Sequence, residues 1–188
     1  MKVRILLYRT PWKLKFKYFF NWLISIRTLS KWSHVEIWTP DENGRFTMAP
    51  NNSSMDYWGT CWTSTMRDDD NGTVKRDASK VLIHPENWDY IEIEVPEYDA
   101  MIGYMNQEVS NNKGYAKWDI LKFVSPLHFP DNDRNICSEI VNDALWYGGV
   151  FTKGGIVSPE EVCQKLIDLG HEVKSLVNQD QIKEQDSE

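Results

Sequence analysis

Along this chain of 188 residues the spacing of apolar side chains switches in blocks between period two and period 3.6, which narrows the fold more than any other feature. Val3, Ile5 and Leu7 alternate with Arg4 and Leu6, the pattern of a strand. From Ser33 to Thr39 the period is again two, with Val35 and Ile37 facing one way and His34, Glu36 and Trp38 the other. Ile91, Ile93 and Val95 alternate with Glu92 and Glu94, a strand with one wet face. Helical spacing lies between and after these blocks. Phe16, Phe19, Phe20, Leu23 and Ile24 recur opposite Lys13, Lys17, Asn21 and Ser25, and Met101, Ile102, Met105 and Val109 follow Pro96 and stop near Asn111. A shorter helical piece is expected over Trp118 to Val124. Asn135 is the expected N-cap of a helix from Ile136 to about Tyr147, which Gly148-Gly149 stops. Ser158, Pro159 and Glu161 form the opening of a last helix that ends at Gly170. Strands and helices segregate along the chain, so the expected class is α+β.

Turn chemistry refines the picture. Asp41-Glu42-Asn43-Gly44 is a hairpin signal, which predicts that Arg45 to Ala49 returns antiparallel beside the strand carrying His34. Pro50 to Asp77 is rich in Asn, Ser, Asp and Gly, with Trp58 and Trp62 interspersed, and reads as a long loop bordering a groove; another strand is expected within Thr73 to Ile83. The expected organisation is one domain over residues 1–173 and a frayed polar tail over 174–188.

Composition excludes several classes. Hydrophobic residues make up 41% and include nine Trp, far too many for a disordered chain. No uninterrupted apolar run approaches the roughly 18 to 20 residues that span a bilayer. The apolar opening, Val3 to Tyr8, is too short for a secretory leader and runs into Thr10-Pro11-Trp12-Lys13. Three scattered cysteines point to reduced thiols, so the expected compartment is cytoplasmic. The net charge of -7 hides an asymmetry: residues 1–35 carry eight Lys/Arg and no acid, since the first is Glu36. That segment is a candidate surface for an anionic membrane, and the plainer reading is that it neutralises the acidic remainder; nucleic acid is not an expected partner.

The residues with chemical potential are few. Cys137 falls in the first turn of its expected helix, where unpaired N–H groups and the positive end of the helix dipole stabilise a thiolate and donate to an oxyanion. His34 is the best placed base, on the polar side of its strand, with Glu36 two residues on along the same face. Thiol, imidazole and orienting acid are the parts of a cysteine hydrolase. Each also has a structural reading: buried free Cys is common, as Cys61 between Thr60 and Trp62 and Cys163 among Val162, Leu166 and Ile167 illustrate. No Cys-x-x-Cys or His-x-x-x-His pair supports zinc. Asp131 to Asn135 begins like a calcium loop, but Ile136 stands where Gly is required and Asn142 where the terminal Glu belongs. Asp68-Asp69-Asp70 reads as a solvated turn, and no cofactor is expected.

Three stretches in this order resemble the circularly permuted NlpC-type papain-like cysteine peptidases, in particular the YiiX-like branch. Leu6 to Arg9 followed by Ser33-His34-Val35-Glu36-Ile37-Trp38 is similar to that family's opening strand and His-bearing strand. Gly114-Tyr115-Ala116-Lys117-Trp118-Asp119 is similar to a tyrosine segment upstream of the nucleophile, although Ala116 stands where Asp is usual. Ile136-Cys137-Ser138-Glu139-Ile140-Val141 matches the start of the nucleophile helix, and Val157-Ser158-Pro159 resembles the entry to the closing helix. The resemblance spans about residues 3–170. It implies a permuted papain-like fold, an antiparallel sheet or barrel packed against helices that include the one bearing Cys137. It implies Cys137 as nucleophile, His34 as base, Tyr115 as a helper of the oxyanion hole, and Glu36 or Thr47 as the residue that orients the imidazole. The implied activity is hydrolysis of a peptide or isopeptide amide, such as a peptidoglycan-type peptide. Two alternatives stay open. One is acyl transfer or lipid ester or thioester cleavage, as in the lecithin:retinol acyltransferase-like relatives; the other is a catalytically silent module binding in a groove between Trp58, Trp62 and the Cys137 helix. Compact relatives of this kind also occur in phages, for which the expected location is the host cytoplasm or the virion.

Overall fold

The structure is a computed structural model that describes residues 1–9, 31–46, 57–65, 72–111, 136–152 and 158–177. Within them the elements are β1 (Lys2–Arg9), β2 (Trp32–Thr39), β3 (Thr60–Thr65), β4 (Gly72–Asp77), α1 (Ala78–Val81), β5 (Trp88–Glu94), α2 (Tyr98–Asn111), α3 (Cys137–Tyr147), α4 (Pro159–Asp168) and β6 (Val173–Ser175). Among the described residues the strands form one open antiparallel sheet in the order β4-β3-β2-β1-β5-β6. The fold is therefore α+β, with helices packed on the sheet.

Period-two alternation in the central strands gives the sheet two apolar faces. Val3, Ile5 and Leu7 of β1, Val35 and Ile37 of β2, and Ile91 and Ile93 of β5 point to one side. There they meet Met101 and Met105 of α2, Ile140, Val141, Ala144 and Leu145 of α3, and Val162, Cys163 and Leu166 of α4. Leu6, Tyr8, Trp38, Cys61 and Trp88 point to the other side, where Phe46, Tyr57, Ala78 and Leu82 cover them. Each Ile, Leu or Val fully buried at the helix interface contributes about 1.5–3 kcal/mol, so this is where the stability of the sheet–helix contact resides.

Helix ends follow the expected chemistry. Ser158 caps α4 through a reciprocal box: its hydroxyl accepts from the Glu161 N–H at 3.2 Å, and the Glu161 carboxylate accepts from the Ser158 N–H at 2.6 Å. α3 starts one residue later than expected, with Ile136 as its N-cap. An isoleucine side chain has no acceptor, so half of the box is present: the Glu139 carboxylate accepts from the Ile136 N–H at 2.9 Å. Asn135, the expected cap, lies outside the described residues, as do the helical pattern over residues 13–25, the piece over 118–124, Asp68 to Asp70 and Asp131 to Asn135.

Three expectations about the sheet are revised. β2 lies between β1 and β3, so Thr60–Thr65 occupies the edge on which Arg45 to Ala49 was expected to pair. The turn itself forms: Asp41 Oδ1 accepts from the Asn43 and Arg45 N–H groups, and Gly44 takes a φ of 74°. The stretch read as a long loop holds β3, built from Thr, Ser, Cys and Trp without an aliphatic residue, and β4 (Gly72–Asp77), which covers the start of the strand expected within Thr73 to Ile83. Finally, the sheet runs past residue 173, because Lys174 and Ser175 pair with Tyr90 and Asp89 of β5.

Candidate functional site

β2 and α3 carry the residues of interest. On β2, His34 and Glu36 are two apart and share a face, as the strand period requires. Their side chains meet: His34 Nε2 lies 3.0 Å from Glu36 Oε1, with both residues no more than 5% exposed. Glu36 thus reaches the imidazole along its own strand. The sequence-derived rival for that role, Thr47, lies outside the described residues, as does Tyr115. The second oxygen of the same carboxylate, Glu36 Oε2, is buried without a hydrogen-bond partner.

A third group that the sequence did not bring forward stands on β3. Thr63 Oγ1 lies 3.3 Å from His34 Nε2 and 3.2 Å from the Val35 carbonyl oxygen. The signal was hidden because Thr60–Thr65 had the composition of a loop, and a threonine carries no chemical label of its own.

Cys137 is the first residue of α3 and is buried. A side chain here lies beside the N–H groups of the first helical turn, which have no acceptor within the helix, the position argued from sequence to favour a thiolate. The other two thiols are in the opposite situation. Burial pushes the Cys61 thiol well above its ordinary range, and Glu36 pushes it the same way. Burial, with help from Glu160, raises the Cys163 thiol to about 12. Neither ionises near neutral pH.

The two halves of the site approach β2 from different sides. Cys137 belongs to the cluster formed by Val35, Ile37 and the helices. His34 points with Glu36 to the other face, where its ring centroid is 6.5 Å from that of Trp88. Beside His34, however, the alternation is broken. Tyr8 pairs with His34 and Arg9 with Trp32, so Ser33 is an extra residue on β2, a bulge. Its consequence is visible in Trp32, which joins the helix-side cluster and donates its indole N–H to the buried Asp89 at 2.9 Å. Bulges re-aim side chains and recur next to active sites. At this end of β2 the strand rolls from one face to the other, within one residue of the imidazole.

Among the described residues, Trp58 and Trp62, expected to border a groove with the Cys137 helix, point to different surroundings. Trp62 is buried in the helix-side core and donates its indole N–H to Thr39 Oγ1 at 3.1 Å. Trp58 lies under the Arg45 guanidinium, 3.9 Å from its ring centroid. Among the described residues no group of three His, Cys, Asp or Glu side chains is placed to hold a metal ion, and no helix is long and apolar enough to cross a membrane. Comparison with protein-family models, with curated proteins and with solved structures finds no match.

Proposed function

We propose that this protein is a cysteine hydrolase acting on a peptide or isopeptide amide, and that its α+β fold is the permuted papain-like arrangement. Cys137 is the nucleophile, His34 the base and Glu36 the residue that orients the imidazole. The sulfur attacks the amide carbonyl and its proton passes to His34; the amine leaves with that proton, and water then releases the acyl group from the thioester. The observation that carries this reading is the buried His34–Glu36 hydrogen bond at 3.0 Å, with the second carboxylate oxygen left unpartnered. A buried orphan acceptor costs about 1–3 kcal/mol, and a donor arriving with a bound substrate would offset that cost. The position of Cys137 at the start of α3 and the bulge at Ser33 add support.

The test is selective alkylation of the native protein near pH 7. Cys137 is expected to react much faster than Cys61 and Cys163, and His34→Asn to slow Cys137 alone. Equal rates at all three cysteines, or a Cys137 rate indifferent to His34→Asn, overturn the proposal.

The separation of Cys137 and His34 onto different sides of β2 favours a second reading, a binding module without turnover. In that case His34→Asn leaves Cys137 reactivity unchanged and abolishes capture of a peptide ligand.

A further inference from the structure

On the sheet face turned away from α2, α3 and α4, Arg4 of β1 sits directly opposite Trp38 of β2 and Glu92 of β5. Its Cζ lies over three rings, 4.3 Å from the centroid of Phe46, 4.7 Å from that of Tyr90 and 5.1 Å from that of Trp38. A guanidinium offers five N–H donors in a planar fork. Arg4 spends one of them, donating from Nε to Glu92 Oε2 at 3.2 Å. Its two terminal nitrogens have no acceptor among the described residues, and neither is a buried orphan, so their N–H groups face the surface. Arg45 shows the contrast. It too lies on a ring, that of Trp58, but it donates from both Nε and Nη2 to Asp41 Oδ2.

We propose that Arg4 is an oxyanion-recognition fork: three rings and Glu92 hold its guanidinium in one orientation, and its terminal N–H groups take a carboxylate or phosphate group bidentately at the surface. The rings replace water against the guanidinium, so its charge acts chiefly through the uncommitted edge. The side chain is only 18% exposed, and its rotamer freedom is lost on folding, so an arriving anion does not have to order it. Glu92 leaves that edge open, because its Oε2 is taken by Arg4 Nε and its Oε1 by Lys2 Nζ, each at 3.2 Å. The charges on this part of the face are Lys2, Arg4 and Lys174, the last opposite Tyr90, against Glu92 and Glu94. Three cations to two carboxylates leave one positive charge for a ligand, and the adjoining Asp41–Arg45 pair is neutral. No residue of the Cys137 and His34 chemistry takes part, so the fork stands apart from the hydrolase reading.

The experiment is proton–nitrogen NMR of the full chain titrated with inorganic phosphate and, separately, with acetate, at an ionic strength held constant with chloride. The Arg4 Nε–H signal and the backbone amides of Trp38, Tyr90 and Glu92 are followed. Two charge-assisted hydrogen bonds at the surface put the expected dissociation constant in the millimolar range, so these signals should shift and saturate within tens of millimolar. Saturation by either anion supports the fork, and the tighter of the two names the ligand class, phosphate ester or carboxylate. Arg4→Lys keeps the charge and loses the planar fork; read on the three amides, it should weaken the tighter anion about tenfold or more. Absence of saturation by both anions overturns the proposal, and that result needs no variant. An equal shift when chloride alone is raised overturns it too. So does an Arg4→Lys protein that keeps the amide fingerprint of the fold and binds the anion as tightly as the native chain.

Discussion

Alkaline pH should destabilise this protein from about pH 9, and Cys163 should account for a measurable share of the loss. Its thiol is fully buried in α4 and is raised from an ordinary 9.0 to about 12, first by burial and then by Glu160, with Lys31 opposing and a lesser upward effect of Asp89. In the unfolded chain the same thiol ionises near 9. Between those values the unfolded state has lost the proton and the folded state still holds it, so stability falls as pH rises. One group costs about 1.4 kcal/mol per pH unit in that window, or about 4 kcal/mol across all of it. Below pH 9 both states hold the proton and the contribution is flat. The assay is urea unfolding under reducing conditions from pH 8 to 11.5. With a slope near 2 kcal/mol per M urea, Cys163 alone lowers the midpoint by about 0.7 M per pH unit. Cys61 and the raised tyrosines, Tyr57, Tyr98 and Tyr104, move in the same direction, so the informative quantity is the difference between the native chain and Cys163→Ala. That variant loses some stability at every pH by vacating volume in the helix-side core, but its alkaline slope is expected to be shallower by about 1.4 kcal/mol per pH unit. Parallel curves would refute the reasoning, because they would mean that Cys163 ionises in the folded protein as easily as in the unfolded one.

Two further outcomes follow from the sheet. Asp89→Ala leaves the buried Trp32 indole N–H without its acceptor and removes the partner of Arg9 and Lys31, each 3.6 Å from the carboxylate, so it should cost about 3–5 kcal/mol in urea unfolding; Glu92→Gln, at the more exposed Lys2 and Arg4 pair, should cost less than about 1 kcal/mol. Gly59→Ala should lose roughly 3 kcal/mol or more by thermal or urea melting, because a Cβ there, at φ +95°, would lie 2.1 Å from the Thr39 carbonyl oxygen; Gly44→Ala, at φ +74° with nothing within 4 Å, should lose only about 1 kcal/mol.

The elements visible in the sequence are those whose period is written in aliphatic side chains. β1, β2, β5 and α2 to α4 all have a run of Ile, Leu, Val or Met at one spacing, and each forms close to where that spacing places it. β3 and β4 do not. Thr63, Ser64, Thr65 and Thr73 fill buried positions at the β3–β4 side of the sheet with hydroxyls, and Thr63 satisfies its own on the Val35 carbonyl. Such residues read as a loop until their partners are known. β6 is missed for a simpler reason: three residues carry too little pattern, and what holds them is the free edge of β5.

The site divides along the same line. That His34 and Glu36 share a face follows from their spacing, and the hydrogen bond between them needs only that Glu36 extend along the strand. The side from which Cys137 arrives is decided elsewhere. α3 buries Ile140, Val141, Ala144 and Leu145, and an apolar helix stripe must cover apolar strand residues, here Val35 and Ile37. The alternation that makes His34 and Glu36 neighbours therefore also sends them to the face that α3 does not cover. Sulfur and imidazole can meet only where β2 stops alternating, and Ser33, the residue between Trp32 and His34, is where it does so. Deleting Ser33 would restore regular pairing, with Trp32 still opposite Arg9 on the helix side and His34 opposite Tyr8. If the bulge is what brings base and nucleophile within reach, that deletion should remove the dependence of Cys137 alkylation on His34 while the rest of the sheet stays paired. Retained dependence would place their meeting point somewhere other than this end of the strand.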